Sequence, residues 1–445
     1  MNMTAETNLC ARFNSMTAFD TAKHIHFVGI GGIGVSALAR MMLHRGKKVT
    51  GSDRVASRIT DDLVREGVRF VEGHRAESIT SDVDVVIYSP AIPSDSPELA
   101  RAREFDIPMF TYPEALGKVS EGAYTIAVSG THGKTTTTAM IADVLKRDIN
   151  PTVIVGSLLS GGRSNFVPGN ESHFVVEACE YKRSFLSLTP NILVITNIDE
   201  DHLDYYKDLA DIESAFCEIA RKVPADGFVV ADIENDSVKR VLKDVVATTI
   251  DYRKLYNPQR ELAVMGKHNQ MNAAAAQAVG DILNIDPSHC DEMLKKFAGT
   301  WRRSELKGTL ANGALVYDDY AHHPTEITTT IAGFAERFPS KELIVVFQPH
   351  LYSRTREHFD HFVTSFGQAS RVIVAPIYAA REQDDGMVSH HDLVRAMQEQ
   401  GVKAEAFDSL DAITEALRSS LGPDSLVLTM GAGDIYHVGE ALLKG

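Results

Sequence analysis

One short stretch, which reads IAVSGTHGKTTTT over residues 126–138, restricts the fold of this chain more than any other part of the sequence. The apolar run at residues 125–128 predicts a buried parallel strand, and the pattern after the glycines predicts a helix that ends near Leu145. A strand, a glycine loop and a helix in this order form a cradle for phosphate, because loop N–H groups and the helix N-terminus face the anion. The stretch therefore predicts nucleotide binding on a parallel α/β sheet.

The residues of this loop have separate tasks in a phosphate cradle. Lys134 supplies a point charge, the Thr135 hydroxyl can reach Mg²⁺, and the glycines let the backbone approach the phosphates closely. The general phosphate-loop pattern has a glycine where this chain has Val128, so the match is to the shorter form GTxGKT. The alternative is a strand-to-helix turn in which glycine serves only the backbone shape. We predict that ATP is bound by Gly130, Thr131, His132, Gly133, Lys134, Thr135 and Thr136.

Length and composition limit the classes of protein to which the chain can belong. Its 445 residues are enough for two to four domains. A formal net charge of -15 argues against nonspecific nucleic-acid binding, which needs a basic surface. The four cysteines form no CxxC pair and the N-terminus has no signal pattern. We therefore expect neither disulfides nor a zinc site, and a cytoplasmic protein.

The N-terminal region predicts no membrane span. The apolar run at residues 25–43 is interrupted by glycines and by Arg40, which favours a strand followed by a helix over a transmembrane helix. Residues 1–22 are polar and lack periodicity, so we expect them to form a flexible extension.

A second glycine-rich turn lies near the N-terminus. Residues 24–53 predict a strand, a glycine loop, a helix and a second strand that ends at Asp53. This is the βαβ pattern of diphosphate-binding domains, in which the acidic residue binds a ribose or a base. The pattern alone fits NAD, FAD or another diphosphate, and it also fits a glycine turn that is only structural. We expect the ligand to be held by Gly31, Gly32, Ile33, Gly34 and Asp53.

The two turns together suggest ATP chemistry on a substrate that itself carries a diphosphate, since a dehydrogenase needs only the first turn and a simple ATPase only the second. A polar section at residues 118–123 and a basic cluster at residues 302–307 mark two boundaries. We predict an α/β protein of three domains: a Rossmann-like domain at 23–121, a central P-loop ATPase-like parallel sheet at 122–300 and a second Rossmann-like domain at 301–445.

Acidic residues follow two strands of the central domain. Glu177 ends the apolar run at 173–178, where a nucleotide triphosphatase holds its metal, and Glu180 is a second carboxylate. The next strand leads into an acidic loop that contains His202, for which a solvated loop is the alternative. A histidine ligand to Mg²⁺ would be unusual, since Mg²⁺ prefers oxygen. We predict Thr135, Glu177 and His202 as Mg²⁺ ligands.

Two further groups of polar residues are candidates for binding. Asn269 and Asn272 share one face of an alanine-rich helix, where an amide can pair with adenine, or else cap the helix. In the last domain, loops with histidine and arginine follow successive strands, which places them at one edge of an open sheet.

The chain resembles the Mur ligases, the ATP-dependent amide-forming enzymes of peptidoglycan precursor synthesis, over residues 23–445. The resemblance is to the alanine-adding members and depends on the motifs FVGIGGIG, GTHGKTTTT, VVEACE, TNIDEDHLDYY, GKHNQMNA, RRSELKG, DDYAHHPTEI, FQPHLYSRT and MGAGDIYHVGEAL. It implies that ATP phosphorylates the lactyl carboxylate of UDP-N-acetylmuramate, and that the amine of L-alanine attacks the acyl phosphate. For the assembly we expect a monomer or a homodimer.

The resemblance also implies roles for individual residues. The expected catalytic residues are Lys134, Thr135, Glu177, His202 and His350. The expected contacts along the UDP sugar are His74, Ser89 and Ala91. In the last domain the expected contacts to ATP or the amino acid are Arg303, Asp319, His322, His350 and Arg354, with Arg381 or Arg395 for the amino-acid carboxylate.

One departure separates the chain from part of the family. Several members use a carbamylated lysine about fifteen residues past the metal histidine, and here residues 215–218 read AFCE, so we predict no carbamate. The alternatives are the tripeptide-recycling ligase of the same family, an NAD-dependent oxidoreductase and a catalytically silent nucleotide-binding regulator. The sequence leaves the choice among L-alanine, glycine and L-serine open.

Overall fold

Three mainly parallel β-sheets, interleaved along the chain with helices, confirm the predicted α/β fold of three domains. The computed structural model describes residues 18–159, 164–380 and 382–444. Most of the predicted N-terminal extension therefore lies outside the described residues. Within its described part, Phe19 is buried and its ring lies 5.1 Å from that of Phe110, so the packing of the first domain begins before residue 23.

The regular elements follow the predicted alternation closely. The strands are β1 His24–Val28, β2 Lys48–Asp53, β3 Arg69–Glu72, β4 Val85–Tyr88, β5 Met109–Thr111, β6 Tyr124–Ser129, β7 Thr152–Ile154, β8 Phe166–Val167, β9 His173–Glu177, β10 Ile192–Ile195, β11 Phe228–Ala231, β12 Thr248–Asp251, β13 Glu305–Thr309, β14 Leu315–Asp319, β15 Glu342–Phe347, β16 Arg371–Val374, β17 Ala404–Ala406 and β18 Ser425–Met430. The helices are α1 Ala18–Thr21, α2 Ile33–His44, α3 Arg58–Glu66, α4 Pro97–Glu104, α5 Tyr112–Ser120, α6 Lys134–Leu145, α7 Leu209–Ala220, α8 Asp236–Leu242, α9 Lys267–Ile282, α10 Pro287–Lys296, α11 Pro324–Arg337, α12 Tyr352–Glu357, α13 Phe359–Thr364, α14 His390–Glu399, α15 Leu410–Ser420 and α16 Tyr436–Leu443.

The first sheet is parallel throughout, with the strand order β3-β2-β1-β4-β5. Its central strand β1 is buried at all five positions, as expected for a strand covered on both faces. Gly29 follows β1, Asp53 ends β2, His74 lies beyond β3 and Ser89 follows β4. The carboxyl ends of these strands therefore bring the predicted substrate residues to one edge of the sheet.

The second sheet has the order β12-β11-β10-β6-β9-β7-β8, and only β8 is antiparallel to its neighbour. Strand β6 lies in the middle, between β9 and β10, so the phosphate loop that follows β6 emerges at the point where the strand order reverses. Open α/β sheets bind ligands at such a switch point. The topology therefore places Glu177, at the end of β9, and the loop after β10 on either side of the phosphate loop.

The third sheet has the order β13-β14-β18-β15-β16-β17, with β13 antiparallel to β14. The chain contacts divide the molecule into two compact units. The first extends to Tyr252 and includes Ala278–Asp286, and the second comprises Arg253–Gln277 and the residues from Pro287 onwards. The first two sheets thus belong to one unit and the third sheet to the other. The boundaries at 121–122 and 300–301 stay predictions.

Within the first unit, one buried apolar cluster includes residues from both sheets, among them Phe27 of β1 and Leu193 of β10. Glycine allows a close contact between backbones there. Gly117 in α5 packs so tightly that a Cβ on it would lie 2.3 Å from the carbonyl oxygen of Ser187.

Among the described helices, none is long and apolar enough to cross a membrane.

The contact at Gly117 predicts a stability defect. Gly117→Ala should lower the free energy of unfolding by about 1–3 kcal/mol, because the overpacked backbone outweighs the roughly 1 kcal/mol that alanine adds to helix propensity. Thermal unfolding of both proteins measures the difference. Gly367→Ala is the control, since a Cβ at Gly367 meets nothing within 4 Å. Equal melting temperatures for Gly117→Ala and wild type would contradict the prediction.

Candidate active site

The phosphate loop begins where β6 ends and closes on the first turn of α6. Gly130 has φ +130° and Gly133, the N-cap of α6, has φ +83°, in the left-handed region that favours glycine. A Cβ on Gly130 would also lie 2.1 Å from Thr196 Oγ1. Glycine at position 130 is therefore required both by the backbone conformation and by the close approach of the residues after β10.

Side chains that follow β10 hold this loop in place. The Asn197 side chain accepts a hydrogen bond from the His132 N–H at 2.9 Å and donates one to the His132 carbonyl at 2.9 Å. Thr196 Oγ1 donates to the same carbonyl at 2.5 Å, and Thr131 Oγ1 accepts from the N–H of Asp199 at 2.8 Å. These bonds order the loop without a ligand, which lowers the cost of arranging its N–H groups around a phosphate.

The Lys134 ammonium lies within the loop that carries it. Nζ donates to the carbonyls of Gly130 at 2.5 Å and Thr131 at 2.9 Å, and to Glu180 Oε1 at 3.0 Å. Burial opposes the charged form, but the nearby carboxylates, Glu180 first and Glu177 with it, raise the pKa of Lys134 above its ordinary value. Lys134 therefore stays cationic, which is the state that phosphate binding requires.

Two carboxylates lie beside this lysine. Glu177 Oε2 accepts a hydrogen bond from the Gly156 N–H at 2.7 Å. Glu180 Oε2 is buried and has no hydrogen-bond partner among the described residues. A buried carboxylate oxygen without a donor is costly, and a divalent cation would satisfy it. The sequence marked Glu180 only as a second carboxylate, whereas the structure places it beside Lys134 and makes it a candidate metal ligand.

His202 lies at the same cluster of carboxylates. Its Nε2 is 3.7 Å from Glu180 Oε1 and 3.8 Å from Asp201 Oδ2. The structure thus brings His202 and Lys134 together around Glu180. Thr135 is buried in the first turn of α6 and follows Lys134 directly. Carboxylate and hydroxyl oxygens of this kind are the ligands that Mg²⁺ prefers, so the donor set fits the predicted ion.

A cavity of about 250 Å³ lies between the first glycine loop and the residues around the end of β9. Its walls include Ile33, Gly34, Tyr112, Glu177, Cys179 and Ser184. Gly34 lies so close to Tyr112 that a Cβ would be 2.6 Å from Tyr112 Cζ. The predicted substrate loop and the predicted metal carboxylate therefore face one shared space.

The first glycine loop is ordered by an acidic side chain. Asp53 Oδ2 accepts a hydrogen bond from the Gly31 N–H at 2.8 Å, and Oδ1 accepts from the Arg54 N–H at 2.7 Å. A Cβ on Gly31 would lie 2.9 Å from Asp53 Oδ2, so glycine is needed for this approach. Gly32 is the N-cap of α2, whose N-terminus faces the loop. A ribose or base contact by Asp53 stays a prediction.

The other predicted substrate residues of the first sheet have partners of their own. His74 Nδ1 lies 2.9 Å from Glu98 Oε2 and 3.0 Å from Ser52 Oγ. Ser89 Oγ accepts a hydrogen bond from the Ala91 N–H at 3.3 Å. The sequence did not indicate Glu98, which lies in the first turn of α4 and is fully buried.

In the second unit, Arg302 is a buried guanidinium that the sequence did not single out. Its Nε lies 2.7 Å from Asp318 Oδ2, and its two terminal nitrogens donate to the carbonyls of Gly433 at 2.7 Å and Gly431 at 2.6 Å. This buried ion pair attaches the glycine turn after β18 to β14. The predicted binding residues, Arg303 and Asp319, are the next residues along the chain.

Two predicted residues of the third domain lie beside Glu326, and a third, Asp319, is hydrogen-bonded to Ser304. Arg303 Nη1 lies 3.8 Å from one carboxylate oxygen, and His322 Nδ1 lies 3.4 Å from the other. Asp319 accepts a hydrogen bond from the Ser304 N–H at 2.7 Å. Burial raises the pKa of Asp319 to about 6, although the Arg303 charge acts in the opposite direction.

His350 lies between His322 and Arg354. Arg354 Nη1 lies 3.1 Å from His350 Nδ1, and the rings of His350 and His322 are 5.9 Å apart. The His350 ring also stacks on Tyr378 with the centroids 5.8 Å apart. His322, His350 and Arg354 therefore form one polar group at the carboxyl edge of the third sheet. Arg381 lies outside the described residues.

Asn269 and Asn272 contact each other near the start of α9. Asn272 Nδ2 donates to Asn269 Oδ1 at 3.2 Å, and Asn269 Nδ2 donates to the Met265 carbonyl at 2.6 Å. Because α9 begins at Lys267, Asn269 lies inside the first turn and does not occupy the N-cap position. The capping alternative is therefore wrong, and adenine binding stays a prediction.

Family models match the chain in three consecutive segments. The model described as the Mur ligase family catalytic domain matches residues 24–124, that of the Mur ligase middle domain matches 128–257, and that of the Mur ligase glutamate ligase domain matches 302–433.

Individual relatives match over nearly their whole length. A protein from Clostridium acetobutylicum named UDP-N-acetylmuramate–L-alanine ligase is 42% identical, and the match covers 96% of this chain and 98% of the relative. The crystal structure of the UDP-N-acetylmuramate-alanine ligase from Thermotoga maritima matches with a TM-score of 0.80 at 30% identity, covering 95% of this chain and 98% of that one. A murein peptide ligase from Psychrobacter arcticus, at 24% identity and a TM-score of 0.69 over 95% of this chain and 98% of that one, has the same fold.

The raised pKa of Asp319 predicts a pH dependence of stability. The folded state binds this proton more tightly than the unfolded state, so the contribution is present below pH 4 and is lost as the pH rises through about 6. Asp319→Asn should reduce the change in the free energy of unfolding between pH 4 and pH 7 by roughly 2–3 kcal/mol, because asparagine does not titrate. Thermal unfolding between pH 4 and 7 measures it.

The control for this experiment is Asp424→Asn, because the Asp424 side chain is 86% exposed. It should keep the slope of the wild type. If Asp319→Asn also keeps that slope, burial does not control the ionisation of Asp319.

Proposed function

The chain belongs to the Mur ligase family, and from that premise we propose that it joins L-alanine to the lactyl carboxylate of UDP-N-acetylmuramate in peptidoglycan precursor synthesis, at the expense of ATP. The observation that carries the proposal is the cavity shared by the first glycine loop and Glu177. It allows a carboxylate on a nucleotide sugar to approach Glu177, whose charge acts on Lys134. Two of the relatives described above, from Clostridium acetobutylicum and Thermotoga maritima, match over nearly the full chain and carry the same activity in their names.

The reaction proceeds in two steps. A carboxylate oxygen of the sugar attacks the γ-phosphorus of ATP, the bond to ADP breaks, and an acyl phosphate forms. The neutral amine of L-alanine then attacks the acyl carbon, and the tetrahedral intermediate loses inorganic phosphate and a proton to leave the amide. Lys134, held cationic beside Glu180, stabilises the negative charge that develops on the transferring phosphoryl group.

Thr135, Glu177 and His202 are the proposed residues for Mg²⁺, and we add Glu180 because its buried Oε2 needs a partner. Mg²⁺ bound there would offset charge on the phosphates. Residues Gly130 to Thr136 would surround the phosphates, with the N–H groups at the start of α6 as the donors.

The remaining site residues have proposed roles in binding. Gly31, Gly32, Ile33, Gly34, Asp53, His74, Ser89 and Ala91 would hold the UDP sugar. Asn269 and Asn272 would contact adenine, and Arg303 and Asp319 the rest of ATP. His322, His350 and Arg354 would bind the amino acid, with Arg381 or Arg395 for its carboxylate. We further propose a cytoplasmic location, a monomer or homodimer, and no nucleic-acid partner.

Release of ADP in a coupled assay tests the function. ADP release should require UDP-N-acetylmuramate and an amino acid together, and kcat/KM should be higher for L-alanine than for glycine or L-serine. Stimulation by the tripeptide instead of a free amino acid would assign the recycling activity. If no amino acid or peptide stimulates ADP release, the ligase proposal fails.

The contacts of Lys134 predict a separation of binding from turnover. Lys134→Ala should reduce kcat by about 10³-fold or more, because the transferring phosphoryl group loses its buried counter-charge. Binding of UDP-N-acetylmuramate, measured by calorimetry without ATP, should be unchanged, since the first glycine loop is built from other residues. Loss of both properties together would show that the two loops do not act separately.

A further inference from the structure

A series of polar side chains, exposed at its first member and buried over most of its length, crosses the first sheet and ends at the half-buried His74. We call it the histidine chain, and in order of contact it consists of Asp82, His24, Thr50, His26, Glu98 and then Ser52 and His74. The function proposed above uses only the last of these residues. The burial of His24, Thr50, His26, Ser52 and Glu98, the last at 0% exposure, calls for a physical account because buried polar groups need partners.

At its outer end the histidine chain meets a carboxylate that can only accept hydrogen bonds. Lys48 Nζ lies 2.8 Å from Asp82 Oδ2, and Thr80 donates to Oδ1 at 2.6 Å. These bonds hold the pKa of Asp82 below its ordinary value, so the group is ionised. His24 Nδ1 lies 3.1 Å from Asp82 Oδ2 and 3.2 Å from the Asp82 carbonyl. Both are acceptors, so His24 Nδ1 carries a proton.

A single hydroxyl joins the two histidines. Thr50 Oγ1 lies 2.9 Å from His24 Nε2 and 2.8 Å from His26 Nδ1. It has one hydrogen, so it donates to one ring and accepts from the other. The second nitrogen of His26, Nε2, lies 3.2 Å from Glu98 Oε1.

Counting hydrogens along these contacts shows that neutral histidines are not enough. Each contact from Asp82 to Glu98 needs one hydrogen, and two neutral imidazoles with one hydroxyl supply one fewer than the contacts require. Burial lowers the pKa of His24, which keeps that ring neutral. The additional proton therefore belongs to the pair of His26 and Glu98.

Three hydrogen-bonding neighbours act on the Glu98 carboxylate of this pair. Burial favours the neutral form of Glu98, but the hydrogen bonds from His26, Ser52 and His74 outweigh it and lower the pKa of Glu98.

The other oxygen of Glu98 determines the state of His74. Ser52 Oγ donates to Glu98 Oε2 at 2.7 Å. His74 Nδ1 lies 2.9 Å from the same oxygen and 3.0 Å from Ser52 Oγ, whose only hydrogen is already used. Both neighbours of Nδ1 accept, so His74 Nδ1 must be protonated. This result is the same whether the shared proton is on His26 or on Oε1 of Glu98.

We propose that Glu98 holds His74 in the Nδ1–H tautomer, so that Nε2 of the neutral ring accepts a hydrogen bond from the ligand of the first glycine loop. The group recognised is then a donor, either a sugar hydroxyl or the imide N–H of a uracil base, and not a phosphate oxygen. Glu98 is a positioning residue, because it acts through His74. This inference rests on the proposed binding of a nucleotide sugar by the first domain.

The tautomer can be read directly in the ligand-free full-length protein labelled with ¹⁵N-histidine. The chain contains 17 histidines, and His74→Gln identifies the His74 resonances by their loss. Above neutral pH we expect the chemical shift of a protonated nitrogen at Nδ1 and of an unprotonated nitrogen at Nε2. The reverse pattern would overturn the proposal, whether or not the protein binds a nucleotide sugar.

A substitution tests the consequence for binding. In Glu98→Gln an amide can donate to His74 Nδ1 and favour the opposite tautomer. We expect the KM for UDP-N-acetylmuramate to rise roughly tenfold or more, while kcat and the KM for ATP change by less than about twofold. The matched control is Glu104→Gln on the same helix, since the Glu104 side chain is 61% exposed and pairs with Arg101 at the surface.

The outcomes separate this inference from the proposed function. If the wild type uses UDP-N-acetylmuramate and Glu98→Gln leaves the KM for this sugar unchanged, the proposed role of Glu98 is overturned. If the wild type does not bind UDP-N-acetylmuramate, the proposed function is contradicted. The ¹⁵N chemical shifts would still test the tautomer of His74.

Discussion

A buried ammonium needs a counter-charge, and the ion pair between Lys134 and Glu180 provides it before any phosphate is bound. The organisation of the second sheet follows from this requirement. Strand β6 lies between β9 and β10, so the loop that carries Lys134 has the carboxylates after β9 on one side and His202 on the other. A nucleotide phosphate entering this loop meets a cation that is already in place and a backbone that is already ordered.

The two glycine loops of the first unit have side chains of opposite charge beside them. The phosphate loop contains the Lys134 ammonium. The first loop lies against the Asp53 carboxylate at the end of β2, which accepts a hydrogen bond from the Gly31 N–H near the start of α2. A carboxylate at this position adds negative charge and an acceptor for hydroxyls. This agrees with the proposed nucleotide-sugar ligand, whose hydroxyls can donate to it.

Much of the fold could be predicted from local pattern. The helix after the phosphate loop ends at Leu145 as expected, and the second strand of the first domain ends at Asp53 as predicted. These elements depend on short apolar runs and on glycine or proline at their ends, which can be recognised within a few residues. Site residues could also be predicted from the sequence where they lie at the end of such an apolar run or in a glycine turn, as do Gly130, Gly133 and Glu177.

What the sequence determined by itself was the order of strands and helices, the two glycine turns and the chemical type of the residues after each strand, because these follow from composition and spacing along the chain. Only the tertiary structure decided which of two adjacent residues is buried, as with Arg302 rather than Arg303, and which carboxylate meets Lys134. It also decided that Glu98, distant in sequence from both His26 and His74, lies between them. Such choices depend on contacts between elements far apart in the chain, and no local pattern of residues carries that information.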